Sequence, residues 1–225
     1  MNLGTEHQLR TDDPAETTDP AGRIASDAHI NRAVDVLRRG GVVAIPTDTV
    51  YGLAASLDHP LAVERLFSIK GRSGTKAIPV LISDIGAFER LTTELPPAAR
   101  RLAEAYWPGA LTIVVSASDA VPESVRRDGS TVGIRMPDNA DALAIIAAAG
   151  GALAVTSANR SGGAEARSAD EVRIKLGNRV DFIVDGGPTR DTSPSTVVDA
   201  TGAQIRALRH GAVESWRLMA TLQDI

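Results

Sequence analysis

The chain contains no cysteine. That excludes disulfide staples, thiolate nucleophiles and cysteine-ligated zinc. Aromatic side chains make up only 3% of the 225 residues. Phe67, Phe88, Phe182, Tyr51, Tyr106, Trp107 and Trp216 are scattered, so they do not form a platform for stacking nucleic-acid bases. No apolar run reaches the roughly 20 residues that a bilayer-spanning helix needs, so no membrane association is expected. The opening stretch MNLGTEHQLRTDDPAETTDP has no apolar h-region, so no secretory signal is expected and the reading is a cytoplasmic protein. The G-x-S-x-G elbow and the H-E-x-x-H zinc motif are missing. So are the Walker A ending G-K-[ST] and the G-x-G-x-x-G fingerprint. His7, His29, His59 and His210 lie far apart without metal-ligand spacing, so no protein-held metal is predicted. By subtraction, the chemistry falls to positioned cations and hydroxyls, not to a protein nucleophile.

What is present is ordinary in bulk and uneven in detail. Hydrophobic residues account for 43% and charged residues for 23%, as in a soluble globular protein with ample core. The net charge is −4. Residues 1–28 account for all of it, with Arg10 and Arg23 against Glu6, Asp12, Asp13, Glu16, Asp19 and Asp27. This acidic, Pro- and Thr-rich stretch reads as a disordered leader. Residues 29–225 read as a single domain with balanced charge, unlike a strongly basic nucleic-acid binder.

Apolar periodicity alternates between helix and strand. Ile30, Ala33, Val34 and Leu37 form a helical stripe stopped by Gly40 and Gly41. Helices are also predicted from Pro60, from Pro96–Pro97 to Tyr106, over 138–149, near 169–176 and near 213–222. Strands are predicted at 42–45, 78–82, 111–115, 131–135, 152–156, 182–184, 196–199 and 205–208. The alternation implies an α/β fold with a mixed, twisted open sheet and flanking helices.

Residues 40–53, GGVVAIPTDTVYGL, are the most informative segment. The strand ends in Thr47, Asp48, Thr49 and Tyr51, and open α/β sheets place ligands at the carboxyl edge of their strands. An ordinary turn is the rival reading, since Thr and Asp are common there. Lys70-Gly71-Arg72, with Lys76 beyond, puts cations on a Gly-flexible segment suited to phosphate oxygens. A solvated basic loop is the bland alternative. Thr156-Ser157-Ala158-Asn159-Arg160-Ser161-Gly162-Gly163 follows a strand and offers hydroxyls, an amide and free backbone N–H groups that can cradle an anion. Trp107-Pro108-Gly109-Ala110-Leu111-Thr112 reads as a turn with a core Trp. Ser195-Thr196-Val197-Val198-Asp199 is a strand, and Arg209-His210-Gly211 closes the next one.

Together PTDTVYGL (46–53), KGR (70–72), WPGALT (107–112), TSANRSG (156–162), STVVD (195–199) and LRHG (208–211) resemble the YrdC-like family, in order, over nearly all of residues 30–212. Its enzymatic members are threonylcarbamoyl-AMP synthases. The resemblance implies a concave basic cleft in a twisted α/β sheet. It implies condensation of L-threonine, bicarbonate or CO2, and ATP with Mg²⁺ into threonylcarbamoyl-adenylate, with release of pyrophosphate. The product feeds N6-threonylcarbamoyladenosine formation at position 37 of tRNA, through a downstream transfer machinery. Carried over by residue, Lys70 and Arg72 are expected to be catalytic. Arg72, Lys76, Thr112, Ser157, Asn159 and Arg209 are expected to hold ATP. Thr47, Thr49, Tyr51 and Ser195 are expected to bind or shape the pocket for threonine.

The chain departs from the family pattern at Ser73–Ala77, at Ala110, which replaces a proline, and at Ala164-Glu165, which replaces a Pro-Ser step. It stops at Ile225, as the short, single-domain form does. Two alternatives stand beside the synthase. One is a YrdC-like module binding tRNA or double-stranded RNA, and the other is a paralogue acting on a different carbamoyl or acyl substrate.

Overall fold

The computed structural model describes residues 24–71, 77–127, 129–190 and 193–223. In chain order the elements are α1 (Asp27–Arg38), β1 (Val43–Ile45), β2 (Gly52–Ser56), α2 (Pro60–Lys70), β3 (Val80–Ile82), α3 (Ile85–Leu91), α4 (Pro97–Tyr106) and β4 (Leu111–Ser116). There follow α5 (Glu123–Arg126), β5 (Thr131–Arg135), α6 (Ala140–Ala148), β6 (Ala152–Ser157), α7 (Ala169–Leu176), β7 (Phe182–Ile183), β8 (Thr196–Asp199), β9 (Arg206–Arg209) and α8 (Ser215–Leu222).

The helices start and stop for local reasons. The Ser26 side chain accepts from His29 N–H and caps α1, with Asp27 in the first turn and Arg38 in the last, where each suits the helix dipole. Asn139 caps α6 and Ser168 caps α7 in the same way. Gly71 ends α2 at φ 60°, a left-handed conformation that glycine adopts without steric cost. Residues 24–28, read from sequence as the end of the leader, belong to the fold. Ala25 is buried, and the amides of Ile24 and Ala25 donate to the Asp141 carboxylate on α6 at 3.2–3.3 Å. The remainder of the leader, residues 1–23, lies outside the described residues.

The strands form one sheet in the order β7-β1-β2-β6-β3-β5-β4-β8-β9. Pairs β1·β7, β3·β5 and β4·β8 are parallel and the other five are antiparallel. The mixed sheet expected from the alternating pattern is therefore what forms. Both faces carry apolar cores. Val43, Ile45, Ala54, Leu81, Leu153 and Val155 meet α1 and α6 on one face. Ala44, Leu53, Val80, Ile82, Ile113 and Ile134 meet α2, α3, α4 and α7 on the other. Burial on both faces explains why these strands read as continuous apolar runs. Each fully buried Leu or Ile contributes about 1.5–3 kcal/mol. No helix among the described residues is long and apolar enough to cross a membrane.

One asymmetry creates the site. Helices α1 and α6 pack over β7, β1, β2, β6 and β3. Register carries the same face onward. Leu81 lies beside Arg135, Ile113 opposite Ile134 sets Thr112 opposite Arg135, Thr112 lies beside Val197, and Val197 opposes Arg209. Arg135, Thr112 and Arg209 thus share the α1/α6 face beyond the strands those helices cover. The expected carboxyl-edge location is corrected accordingly. With five antiparallel pairs the strands have no common carboxyl edge, and the polar residues converge across a face of the sheet.

Candidate active site

A cleft of about 250 Å³ opens on that face. Its lining includes Thr47, Thr49, Thr112, Arg135, Thr156, Ser157, Glu165, Ser195 and Arg209. Six of the residues expected from sequence therefore line one cavity: Thr47, Thr49, Thr112, Ser157, Ser195 and Arg209.

The first wall is the 46–51 loop. It is the turn of an antiparallel hairpin, since β1 and β2 pair from Val43·Ala54 to Ile45·Gly52. Thr47 Oγ1 donates to the Val50 carbonyl at 2.6 Å and accepts from the amides of Thr49 and Val50 at 3.2 Å, so it staples the turn. Thr49 Oγ1 lies 3.1 Å from Thr47 Oγ1. Thr49 Oγ1 also accepts from Arg135 Nη1 at 3.0 Å, which leaves it one lone pair. Tyr51 does not line the cleft. It is fully buried, donates to the Gly187 carbonyl at 2.7 Å and accepts from Gly186 N–H at 3.2 Å. Burial pushes its phenol up to about 12. Tyr51 holds the hairpin from behind.

Arg135 is the functional-site residue that sequence reasoning missed. It ends β5 and is buried. Nη2 donates to Asp48 Oδ1 at 2.5 Å, and Nε donates to the Gly109 carbonyl at 2.9 Å. Asp48 Oδ1 also accepts from Asp138 N–H at 3.2 Å. Side-chain exposure is 7% for each ion-pair partner, so each charge depends on the other for compensation. The available signal was a cation ending an apolar strand, Thr131–Arg135. The WPGALT turn gains a purpose here. Trp107 anchors it through Nε1 to the Leu111 carbonyl at 2.7 Å, and the turn presents the Gly109 carbonyl to Arg135.

The second wall joins β4, β8 and β9. Thr112 Oγ1 and Ser195 Oγ lie 2.8 Å apart. Arg209 Nη2 donates to Ser195 Oγ at 2.9 Å, and Nε and Nη2 both donate to the Ser195 carbonyl, at 3.0 and 2.8 Å. Arg209 Nη1 has no hydrogen-bond partner among the described residues. Gly211 permits this close seating, because a Cβ there would collide with the Pro194 carbonyl and the Ser195 backbone. Thr112 and Ser195, assigned from the resemblance to different substrates, form one hydrogen-bonded pair.

Ser157 ends β6 beside Gly52. Lys70, at the end of α2, holds the loop that follows. Its buried ammonium donates to the Ser157 carbonyl and Asn159 Oδ1 at 2.6 Å, and lies 3.1 Å from Ser157 Oγ and the Asn159 carbonyl. Asn159 Nδ2 in turn donates to the Gly163 carbonyl at 2.5 Å. Lys70 is thus set inside the loop and not on the cleft lining. Asn159 lines a neighbouring open groove of about 700 Å³, together with Val50, Glu165, Arg167, Lys175 and Pro194. Val50, Glu165 and Pro194 border both cavities. Arg72 and Lys76, expected at the phosphates, lie outside the described residues.

Among the described residues no group of three or more His, Asp or Glu side chains can hold a metal ion. The one carboxylate on the cleft lining is Glu165. That donor set fits a magnesium ion bound chiefly by substrate phosphates, because such ions commonly take only one or two protein carboxylates.

Comparison with known proteins identifies the family and the fold. The Sua5/yciO/yrdC family, described as "Telomere recombination", matches residues 35–211. The threonylcarbamoyl-AMP synthase of Bacillus subtilis strain 168 is 38% identical over 201 residues, which is 89% of this chain and 58% of that protein. The threonylcarbamoyl-AMP synthase of Thiobacillus denitrificans is 37% identical over 172 residues, 76% of this chain and 91% of that protein. Among solved structures, Pyrococcus abyssi Sua5 complexed with L-threonine superposes with a TM-score of 0.84 at 36% identity, over 87% of this chain and 58% of that one. The chain therefore spans little more than half the length of the Bacillus and Pyrococcus relatives. A family match over most of the sequence, and a relative covered almost end to end, show that this chain belongs to the Sua5/yciO/yrdC family.

Proposed function

We propose that this protein is a threonylcarbamoyl-AMP synthase, a nucleotidyl-transferring enzyme that uses L-threonine, bicarbonate or CO2, and ATP. The observation that carries the reading is the meeting of two walls in one small cleft. One is Asp48–Arg135–Thr49, and the other is Thr112–Ser195–Arg209. A relative of the same fold is solved with L-threonine bound.

The chemistry suits these groups. Bicarbonate takes up a proton and loses water to give CO2; the neutral threonine amine adds to the CO2 carbon and its N–H proton passes to solvent, giving an N-carboxylate. One oxygen of that carboxylate attacks the α-phosphorus of ATP. The bond to the β-phosphate oxygen breaks, and pyrophosphate leaves with the electron pair. Nucleophile and leaving group both come from substrates, so the protein's part is positioning and charge stabilisation. The lone pair left on Thr49 Oγ1 suits the substrate amine, and Ser195 with Thr112 suits its polar atoms on the opposite wall. Arg209, with Nη1 uncommitted, stabilises phosphate oxygens. Ser157 and Asn159, held in place by Lys70, border the nucleotide. Arg72 and Lys76 remain proposed phosphate ligands on the strength of the motif. When bound, Mg²⁺ supplies charge neutralisation to the polyphosphate. In the cell the adenylate would pass to the machinery that modifies adenosine 37 of tRNA, a cytoplasmic task.

Mass spectrometry of the product formed from ATP, threonine and bicarbonate tests this reading. The expected species is threonylcarbamoyl-adenylate, absent when serine or buffer replaces threonine. AMP without a threonine-containing adduct would overturn it.

A further inference from the structure

Among the described residues, Glu165 is the one acid bordering the cleft without a partner. Asp48 is paired with Arg135, and Glu171 with Lys175 at 2.5 Å. Glu171 also accepts from Arg167 N–H at 3.3 Å. The Glu165 carboxylate has no hydrogen bond or ion pair among the described residues. Its backbone, by contrast, is tied down. The Glu165 carbonyl accepts from Lys175 Nζ at 3.1 Å, and the next carbonyl, of Ala166, accepts from Tyr51 N–H at 2.9 Å. The half-buried side chain borders both the cleft and the groove, between Ser157 and Arg209 on one side and Asn159 and Arg167 on the other.

A carboxylate on an anchored backbone, without a partner among the described residues and bordering a cavity for polyphosphate, repels its ligand unless a cation lies between them. No metal cluster of three or more His, Asp or Glu residues exists among the described residues, so the protein alone offers too few ligands. A hard divalent cation, with most of its oxygens from phosphate and water, completes its shell with a single carboxylate. From this we propose that Glu165 is a protein ligand of the divalent cation that enters with the nucleotide. The proposal rests on the nucleotide-binding reading given above. It adds a metal-linked residue at the position where this chain carries an acid in place of serine. Affinity for nucleotide and for metal should then be coupled through Glu165, each raising the other.

The test uses the full chain, Mn²⁺ as the probe, electron paramagnetic resonance as the readout, and the β,γ-imido analogue of ATP as the nucleotide. The wild type should bind Mn²⁺ much more tightly with the analogue than without it. Glu165→Gln and Glu165→Ser should each lose about tenfold or more of the Mn²⁺ affinity of the ternary complex. Their affinity for the analogue in EDTA should be equal to or higher than that of the wild type. Unchanged thermal melting would confirm that both variants fold. Equal ternary Mn²⁺ affinity in all three proteins would overturn the proposal. So would a gain in nucleotide affinity of the same size with and without metal, which would make Glu165 merely repulsive. A wild type that binds no nucleotide under any condition would remove the synthase reading itself, a result distinct from a defect confined to the variants.

Discussion

Replacing Arg135 with methionine should unfold this protein more readily than any single loss on the cleft surface. Arg135 and Asp48 are each 7% exposed at the side chain and lie 2.5 Å apart. Without the guanidinium, the Asp48 carboxylate stays buried with only Asp138 N–H as a hydrogen-bond donor among the described residues. Breaking one partner of a buried pair costs about 3–5 kcal/mol. The Gly109 carbonyl and Thr49 hydroxyl also lose their donor, at about 0.5–1.5 kcal/mol each where water does not replace it. The carboxylate dominates, because an uncompensated charge is costlier than a neutral hydrogen bond left open. For a chain of this size each kcal/mol lowers Tm by about 2–4 °C, so the carboxylate alone accounts for a fall of roughly 6–20 °C. Asp48→Asn combined with Arg135→Met should restore much of the loss. The substituted amide would still accept from Asp138 N–H, while no buried charge remains. Urea denaturation of wild type, both single variants and the double variant measures the coupling, expected to exceed about 1 kcal/mol. The double variant should nonetheless stay inactive, because Thr49 would lack its partner. Single variants costing under about 1 kcal/mol, or strictly additive effects, would refute the claim that this pair supports the hairpin wall.

Lys70→Met should release the Ser157–Asn159 loop, lowering threonine-dependent pyrophosphate release by about 10²-fold or more and stability by about 1.5–3 kcal/mol; steady-state kinetics and denaturation measure the two. Gly211→Ala should push Arg209 off Ser195 and depress kcat/KM more than it depresses stability. An alanine at 211 with wild-type kinetics would contradict the tight seating seen there. Burial holds the Tyr51 proton up to about 12, from an ordinary 10.0. The native state thus keeps this proton while the unfolded chain loses it, so the stabilisation is complete below about pH 10 and is lost as pH rises toward about 12. Denaturation at pH 9 and above should show a decline of up to about 2–3 kcal/mol that Tyr51→Phe removes.

The parts legible in the sequence were those with local causes. Helix stripes, starts and stops located α4 and α6 to within two residues and α7 at its bounds, and they found α1 and α2 without fixing both ends, since Asp27 and Ala28 of α1 were read as leader. β2 was missed because GLAAS lacks both alternation and β-branched residues. Its five buried positions are set by its place between β1 and β6. α3 is seven residues long and α5 four, too short for a periodic signal. Six of the residues expected to hold substrates line the cleft, yet the motifs did not show how they are held. Arg135 and Asp48 are 87 positions apart, and Lys70 and Asn159 are 89 apart. Such partners become neighbours only through strand order. The hairpin return at Gly52 likewise turned an expected strand end into a loop fixed on both sides. Glu165 stood out in sequence only as a departure, and its position on both cavities emerged with the fold.

The most direct test of the central claim is pyrophosphate release from ATP by the wild-type protein, measured as threonine and bicarbonate are each varied. The account predicts release that requires both, saturates with each and stops in Arg209→Ala. Release that proceeds equally without threonine, or no release with all three substrates and Mg²⁺ present, would contradict it.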